Sequence, residues 1–393
     1  MDVLYLSALC SEKEYGRMFD KYKTTSSHAS QKFHRLICNG LRDNGCNVYT
    51  CSVRVIQAPA PDDLSKEDET ENGIHYHYVK RVTNYGINRL YTVIQTLRYI
   101  FQWSRKHPQG IVICDIIAGE MSIARRIAKW IKPGIYTAGL VTDVPNIRAG
   151  DGRGGIRGIP RSVKNRLISS FDSYIFLTEK MNSLLNTRKR PYVIIEGVID
   201  SQVLQTKNTL ENKYEEKVCM MAGLLENEFG IDTLLKGFMK VRDPEARLHF
   251  YGKGSAVDEI IGAGREDPRI KYFGEAKNRD IVAEEKRATL LINPRLSGEE
   301  WTQFSFPSKN MEYMASGTPL VGCRLPCIPE EYLEYFYVIS DESDEGFAAC
   351  LKTILSRDRK DIHAFGLRAQ EWIVENKNAE KQARKITEMF KAR

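Results

Sequence analysis

Apolar residues in the first 200 positions follow two alternating patterns. Short apolar runs predict buried strands, and they include VLYLSAL, IVICDII and SYIFLT. Between such runs the apolar residues recur at helical spacing, as Phe33, Leu36, Ile37 and Leu41 do. Strands that alternate with helices in this way predict a doubly wound parallel sheet with helices on both faces.

The same α/β pattern restarts after a polar linker at 205–217. We therefore predict two Rossmann-like domains, an N-terminal one over 1–204 and a C-terminal one over 205–375. The last helix, about 376–393, is of the kind that can cross back to the first domain. Two such domains place a cleft between the carboxyl ends of two sheets, where open α/β sheets bind ligands.

Composition narrows the class of protein. The chain has 393 residues, of which 42% are hydrophobic and 28% are charged, as in ordinary globular proteins. No apolar stretch approaches the ~20 residues that span a bilayer, and the N-terminus has no basic signal-peptide lead. Nine scattered cysteines favour free thiols in a reducing compartment. These features predict a cytoplasmic location.

Charge is unevenly distributed along the chain. Residues 1–210 hold 30 Lys and Arg against 19 Asp and Glu, a net charge of +11, whereas the remainder has a net charge of −4. Nucleic acid or an anionic membrane surface could attract the basic half. We rank nucleic acid last, because no nucleic-acid-binding motif accompanies the charge. The predicted helix at 88–108 is either a core helix or a basic amphipathic helix lying on a membrane.

The stretch FSFPSKNMEYMASGTPLVG, at 304–322, carries candidate binding chemistry. It predicts a helix with Ser308 at the N-cap and Gly317 after the last turn. The backbone N–H groups of Ser308, Lys309 and Asn310 would then form an anion site at the helix start. Glu312, one turn further on, could accept hydrogen bonds from ribose hydroxyls. An ordinary capped helix before a buried strand is the alternative.

Five segments in the second half carry a family resemblance, and they occur in family order and at family spacing: MAGLLENEFGIDTLLKGF, LHFYGKG, IKYFGE, LLINPR and FPSKNMEYMASGTPLV. They resemble the retaining, nucleotide-sugar-dependent glycosyltransferases of family four, which have the GT-B architecture of two Rossmann-like domains. The first half is similar through SSHASQKFHRLICNGLRDNGCNV and YVIIEGVID. The segment SFPSK is typical of a branch that is common in bacterial surface-polysaccharide synthesis.

The resemblance implies roles for the residues that match its motifs. Glu312 matches the glutamate that holds the donor ribose, and Ser308 and Lys309 match positions whose amides contact the diphosphate. The segment Phe273, Gly274 and Glu275 matches a loop that lies along the base.

The implied reaction moves a sugar from a UDP- or GDP-sugar, with retention, to a glycan acceptor that is expected to be linked to a polyprenyl diphosphate. The enzyme is expected to need no metal, since no Asp-x-Asp cluster is present. It would work in the cytoplasm or as a peripheral protein on the inner face of the plasma membrane.

Several positions depart from the family pattern. Phe304 stands where a glutamate usually contacts the donor sugar, and Leu224 and Phe229 replace an Arg and a Lys that bind the diphosphate. We assign the missing chemistry to Arg295 and to Glu299 or Glu300.

The usual histidine near the reaction centre also has no match in the first half. Asp143, at a predicted strand end, occupies about that place and is a candidate catalytic residue. A plain strand-end cap is the alternative for Asp143.

Further candidate binding residues are suggested by short sequence patterns alone. Gly252 and Lys253 lie in YGKGS, which is either a plain turn or a close approach of the backbone to a donor. Ser27 and His28 precede a helix and either cap it or face a phosphate. The Gly-rich loop with Arg153 and Arg157 is either a solvated connector or a grip for an anionic acceptor.

Two rival functions fit the same sequence. A nucleotide-sugar epimerase with two Rossmann-like domains would release a new sugar nucleotide without an acceptor. A non-catalytic partner subunit is favoured by the departures at Phe304, Leu224 and Phe229.

Overall fold

The computed structural model describes residues 1–22, 28–54, 56, 59–144 and 166–393. The chain divides into two compact units: unit 1 comprises Met1–Val198 with Ala379–Arg393, and unit 2 comprises Ile199–Asn378. The division lies six residues before the predicted boundary after residue 204, because the turn Ser201–Gln205 packs on unit 2. The return to unit 1 comes at Ala379 rather than at about 376.

Unit 1 is built on an eight-stranded sheet in the order β3-β4-β2-β1-β5-β6-β7-β8, in which β3 alone runs antiparallel to its neighbour among the pairs described. The strands are β1 (Asp2–Ser7), β2 (Asn47–Ser52), β3 (Glu69–Glu71), β4 (Ile74–Tyr78), β5 (Ile111–Asp115), β6 (Tyr136–Val141), β7 (Ser173–Phe176) and β8 (Tyr192–Ile194). The helices described between them are α1 (Glu12–Tyr22), α2 (His28–Asp43), α3 (Tyr85–Lys106), α4 (Gly119–Ile131) and α5 (Glu179–Leu185).

Unit 2 holds a six-stranded parallel sheet in the order β11-β10-β9-β12-β13-β14. The strands are β9 (Lys217–Leu224), β10 (Ala246–Lys253), β11 (Ile270–Tyr272), β12 (Leu290–Asn293), β13 (Leu320–Cys323) and β14 (Tyr337–Ile339). The helices are α6 (Ile231–Met239), α7 (Val257–Glu266), α8 (Asn278–Arg287), α9 (Ser308–Ser316), α10 (Asp344–Leu355) and α11 (Arg359–Asn376).

The last helix, α12 (Ala379–Lys391), packs against α2 in unit 1. Its apolar face buries Ala383, Ile386 and Phe390 in the same core as β1 and β5. Parallel sheets require cover on both faces, and their central strands are buried throughout, as all five residues of β5 are. The predicted α/β class with two Rossmann-like sheets is therefore confirmed.

Two segments in which polar residues dominate are ordered elements. Residues after β1 form α1, whose Glu14 is buried beside Arg17 and Arg54. The polar segment 59–73 contains β3 and the buried Asp63, which accepts hydrogen bonds from Arg17 and Tyr22. Ion pairs allow these polar residues to be buried, so a pattern of apolar residues alone does not predict their position.

Candidate donor site at the carboxyl edge of unit 2

The strand order of unit 2 reverses at one point of the sheet, between β9 and β12. From β9 the chain runs outward through β10 and β11 on one side, and β12, β13 and β14 continue on the other. The loops after β9 and β12 therefore diverge at the carboxyl edge of the sheet. Open α/β folds bind their ligands at such a switch point.

Glycines bring the carboxyl ends of β9 and β10 into close backbone contact. Gly252 lies opposite Gly223 in the parallel pairing and has a φ of 130°. A Cβ on Gly252 would lie 1.8 Å from the Gly223 carbonyl oxygen, so no other residue fits without displacement of the strand end. The Gly252 N–H donates to the Gly274 carbonyl at 2.8 Å. Gly252 thus has a structural role in joining the ends of β9 and β10 to the loop after β11.

Helix α9 begins at this edge, one residue earlier than its predicted cap implies. Pro307 is the N-cap, and Ser308 is the first helical residue and is exposed. The prediction of Ser308 as N-cap is wrong, because Pro307 supplies the extended backbone before the helix. The first N–H groups of a helix have no acceptor within the helix, and they carry the positive end of its dipole.

Asn310 does not offer the free amide that the sequence suggested. Its N–H donates to the Pro307 carbonyl at 2.9 Å, and its side-chain Oδ1 accepts from Asn293 Nδ2 at 2.5 Å. Both side chains are buried. Asn310 therefore fixes the start of α9 to the end of β12.

Lys309 lies between two carboxylates at the switch point. Its Nζ is 2.7 Å from Glu312 Oε2 and 3.8 Å from Glu285 Oε1. A Cβ on Gly223 would lie 3.2 Å from Lys309 Cε, which is a close contact. Burial lowers the pKa of Lys309, but Glu312 and Glu285 outweigh burial and raise it well above the usual value. Lys309 is therefore charged at neutral pH.

Tyr313 attaches α9 to β9. Its hydroxyl donates to the Ala222 carbonyl at 3.0 Å and accepts from the Ala222 N–H at 2.8 Å, and the side chain is buried. Lys309 and Glu312 precede Tyr313 on the same helix, so this anchor fixes their positions relative to the end of β9.

An aromatic platform follows β11. The Phe273 ring is 47% exposed and stacks on Tyr251 at 4.8 Å between centroids, with an interplanar angle of 8°. The buried His249 ring contacts Phe273 from the side. Burial and the nearby charge of Lys271 lower the pKa of His249 to about 4. Lys253 and Glu275 are exposed and form an ion pair beside this platform, at 2.7 Å.

Arg295 is held by aromatic rings in the loop after β12. Its guanidinium lies 4.5 Å from the centroid of Phe229 and 5.1 Å from that of Trp301. Phe229, which replaces a cation of the family pattern, thus supports a cation supplied by the neighbouring loop. Leu224, the other replaced position, is exposed.

The remaining candidates of this loop lie nearby in sequence. Glu299 and Glu300 are exposed at the start of the turn Glu300–Gln303. Phe304 ends that turn, and its N–H donates to the Trp301 carbonyl at 3.0 Å.

The structure describes only some of the candidate site residues in unit 1. Asp143 is exposed after β6, and its Oδ1 accepts from the Val144 N–H at 2.8 Å. His28 is the first residue of α2. Ser27, Arg153 and Arg157 lie outside the described residues.

Two residues of the site were not predicted from the sequence. Glu285 is buried on α8 and contacts Lys309, and Tyr313 anchors α9. A signal for Glu285 was available, since it follows Ile281 by one helical turn and so lies on the buried face of α8. A carboxylate at such a position indicates a nearby cation.

Helix α3 of unit 1 does not pack as the core-helix alternative requires. Its buried face is formed by Thr92, Thr96, Ile100, Trp103 and Ser104. Apolar side chains that a core helix would bury are exposed, with Leu90 at 62%. We define the α3 surface as the exposed residues Ile87, Leu90, Ile94, Arg98 and Arg105.

Residues 1–22, 28–54, 56, 59–144 and 166–393 contain neither a membrane-spanning helix nor a metal-binding cluster. No helix there combines the length and the apolar character needed to cross a bilayer. In those same ranges, no three His, Cys, Asp or Glu side chains form a group that could hold a metal ion.

Comparison with protein families gives one match within unit 2. Residues 216–357 match the family described as Glycosyl transferases group 1, which spans less than half of the chain. A search of curated proteins finds no match.

Solved structures share the fold at low sequence identity. Sucrose-phosphate synthase from Thermosynechococcus elongatus aligns with a TM-score of 0.64 and 12% identity, over 100% of this chain and 99% of its own. Anabaena Alr3699/HepE in complex with UDP and glucose aligns with a TM-score of 0.63 and 13% identity, over 100% of each chain. The lipopolysaccharide outer core galactosyltransferase WaaB aligns with a TM-score of 0.61 and 13% identity, over 100% and 99%.

The fold is therefore that of the GT-B glycosyltransferases, with two Rossmann-like units. The segment that matches the glycosyltransferase family includes β9, Lys309 and Glu312.

Proposed function

We propose that this chain transfers a sugar, with retention, from a nucleotide-diphosphate sugar to a lipid-linked glycan in bacterial surface-polysaccharide synthesis. The observation that carries the proposal is the charged Lys309 beside Glu312 at the start of α9, at the switch point of the matched domain. The HepE structure holds UDP and glucose, which supports a UDP-sugar as the donor.

Each part of the donor has a proposed partner. Glu312 accepts hydrogen bonds from the ribose hydroxyls, and the N–H groups of Ser308 and Lys309 with the Lys309 ammonium bind the diphosphate. The exposed Phe273 ring, supported by Tyr251, offers a stacking surface to the base.

Transfer requires stabilisation of the departing diphosphate. Amides and cations that are already in place supply it without reorganisation during the reaction. Arg295 is proposed to add charge on the side of β12, where Phe229 and Trp301 restrict its orientation. Glu300 and Asp143 are proposed to act toward the transferred sugar and the acceptor hydroxyl, respectively. The phosphate oxygen of the donor is proposed to take the acceptor proton, and the cations and amides at the diphosphate are proposed to do the work of a metal.

A transfer assay tests this proposal. The chain is incubated with UDP- and GDP-sugars, short polyprenyl-diphosphate-linked glycans and excess EDTA, and products are separated by mass. We expect a glycan longer by one sugar, at a rate within about twofold of that without EDTA, since charged side chains and amides do the work of a metal.

The rivals predict other products. Conversion of the donor to an epimeric sugar nucleotide without acceptor would indicate an epimerase. Absence of both transfer and donor hydrolysis with every donor would leave the non-catalytic subunit, which the aromatic Phe304 favours.

We further propose that the α3 surface contacts an anionic membrane on the cytoplasmic side. Helix α3 contains four basic residues and no acidic one, and it exposes Ile87, Leu90 and Ile94. The adjacent α4 exposes Trp130, at 80%. Exposed apolar and basic side chains on neighbouring helices fit the interface of an anionic bilayer.

Removal of the two exposed arginines of this surface gives a test. Each cation near an anionic bilayer contributes about 1 kcal/mol, so Arg98→Ala with Arg105→Ala should weaken binding to phosphatidylglycerol vesicles about thirtyfold in co-sedimentation. The control removes Arg265 and Lys271, two exposed cations of unit 2. Equal binding of the parent protein to phosphatidylcholine and phosphatidylglycerol vesicles would contradict the electrostatic account.

A further inference from the structure

Lys309 has two carboxylate partners that differ in environment. Glu312 is on the same helix, and its side chain is 38% exposed. Glu285 is on α8, and its side chain is 2% exposed. The backbone of α8 is fixed at this point, because the next residue, Lys286, donates to Thr206 Oγ1 at 2.8 Å and the Glu285 carbonyl accepts from Thr318.

Binding of a donor is expected to affect the two carboxylates differently. If the ribose hydroxyls bind Glu312, that carboxylate exchanges part of its contact with Lys309 for the ligand. Lys309 must meanwhile turn its ammonium toward the diphosphate. A buried Glu285 cannot move to a ligand or to water, and a buried carboxylate is costly without a nearby cation.

We propose that Glu285 is a positioning residue, a fixed buried counter-ion that holds Lys309 at the switch point when the donor ribose engages Glu312. The role rests on the proposed donor site. The groups that face Lys309 are Glu312 and Tyr313 on its own helix, Glu285 on α8 and the Gly223 backbone on β9. Of the two carboxylates, Glu285 alone is out of reach of solvent. The raised pKa of Lys309 agrees with charge supplied by both.

Thermal unfolding without any ligand tests the pair itself. Lys309→Met removes the cation that lies 3.8 Å from the buried Glu285 carboxylate, so we expect a fall in Tm of about 5 °C or more. Glu285→Gln keeps the shape of the side chain and should lower Tm in the parent protein but raise it in the Lys309→Met background. Shifts of the same sign and size in both backgrounds would overturn the role of Glu285, whatever the protein does with nucleotides.

Calorimetric titration with UDP tests the consequence for binding. We expect Glu285→Gln to weaken UDP about tenfold in the parent protein and to change nothing further in Lys309→Met. The matched control is Asp280→Asn, which removes one carboxylate charge from an exposed position of α8 and should stay within twofold. Should Glu285→Gln fold poorly, Glu285→Asp keeps the charge farther from Lys309 and should give a smaller loss.

The outcomes separate the two claims. An unchanged UDP affinity in Glu285→Gln, or an equal loss with and without Lys309, overturns the positioning role. Failure of the parent protein to bind UDP or any other nucleoside diphosphate overturns the proposed donor site, while the Tm measurements still decide whether Glu285 and Lys309 act as a pair.

Discussion

Replacement of Glu312 by Ala should weaken UDP binding by about 1–3 kcal/mol, or roughly five- to 150-fold in Kd. The loss is that of a charged hydrogen-bond acceptor for the ribose hydroxyls. The ion pair with Lys309, at 2.7 Å, already orients the carboxylate at the start of α9. Part of this loss of affinity is offset, because Lys309 no longer pairs with Glu312 and can bind the diphosphate. The loss of affinity should therefore be smaller for a nucleotide with more phosphate charge.

A change of ligand isolates the ribose contact. The parent protein should bind UDP more tightly than 2′,3′-dideoxy-UDP, whereas Glu312→Ala should bind both with nearly equal affinity in calorimetry. Glu245→Ala is the control, since Glu245 lies before β10 at the opposite edge of the sheet and is exposed. A variant that keeps the full preference for UDP would remove Glu312 from the ribose site.

The second large effect is a loss of stability in acid caused by His249. Its folded-state pKa is about 4, against 6.5 for an ordinary histidine, because it is buried and lies near Lys271. Between pH 6.5 and pH 4 the unfolded chain binds a proton that the folded chain does not. The free energy of unfolding should therefore fall by up to about 3 kcal/mol as pH falls through this window, and His249 contributes no pH dependence above it.

Comparison of His249→Phe with the parent protein isolates this contribution. Urea unfolding from pH 7 to pH 4 should show a smaller loss of unfolding free energy in the variant by about 2–3 kcal/mol, because the phenyl ring cannot bind a proton. His75→Phe, at an exposed position of β4, should behave as the parent protein does. Parallel pH curves for His249→Phe and the parent protein would contradict the assignment.

Much of the fold followed from the sequence because buried parallel strands leave a clear signal. The runs IVICDII and SYIFLT became β5 and β7, since strands covered on both faces must be apolar throughout. Helix α1 and the order around Asp63 were missed because ion pairs with Arg17 and Arg54 replace apolar burial there. Such pairing depends on residues distant in sequence.

The candidate site was predicted in outline and altered in detail. The sequence located the start of α9, but it could not show that Pro307 caps the helix or that Asn310 bonds to Asn293. The stacking of Arg295 on Phe229 also depends on two loops that meet only in the folded sheet.

Helix α3 shows a different limit of pattern reading. The apolar spacing left open whether α3 is a core helix or a surface helix, and the structure exposes Leu90 and Ile94 while threonines face inward. Periodicity locates an apolar stripe without showing what covers it.

Hydrogen–deuterium exchange with and without UDP tests the central claim most directly, because it locates the bound nucleotide. We predict slower amide exchange at 304–313, where α9 begins, and at 273–277 beside the Phe273 platform, with both effects lost or reduced in Glu312→Ala. Exchange that UDP leaves unchanged in both segments, at concentrations that saturate binding, would contradict a donor site at the carboxyl edge of unit 2.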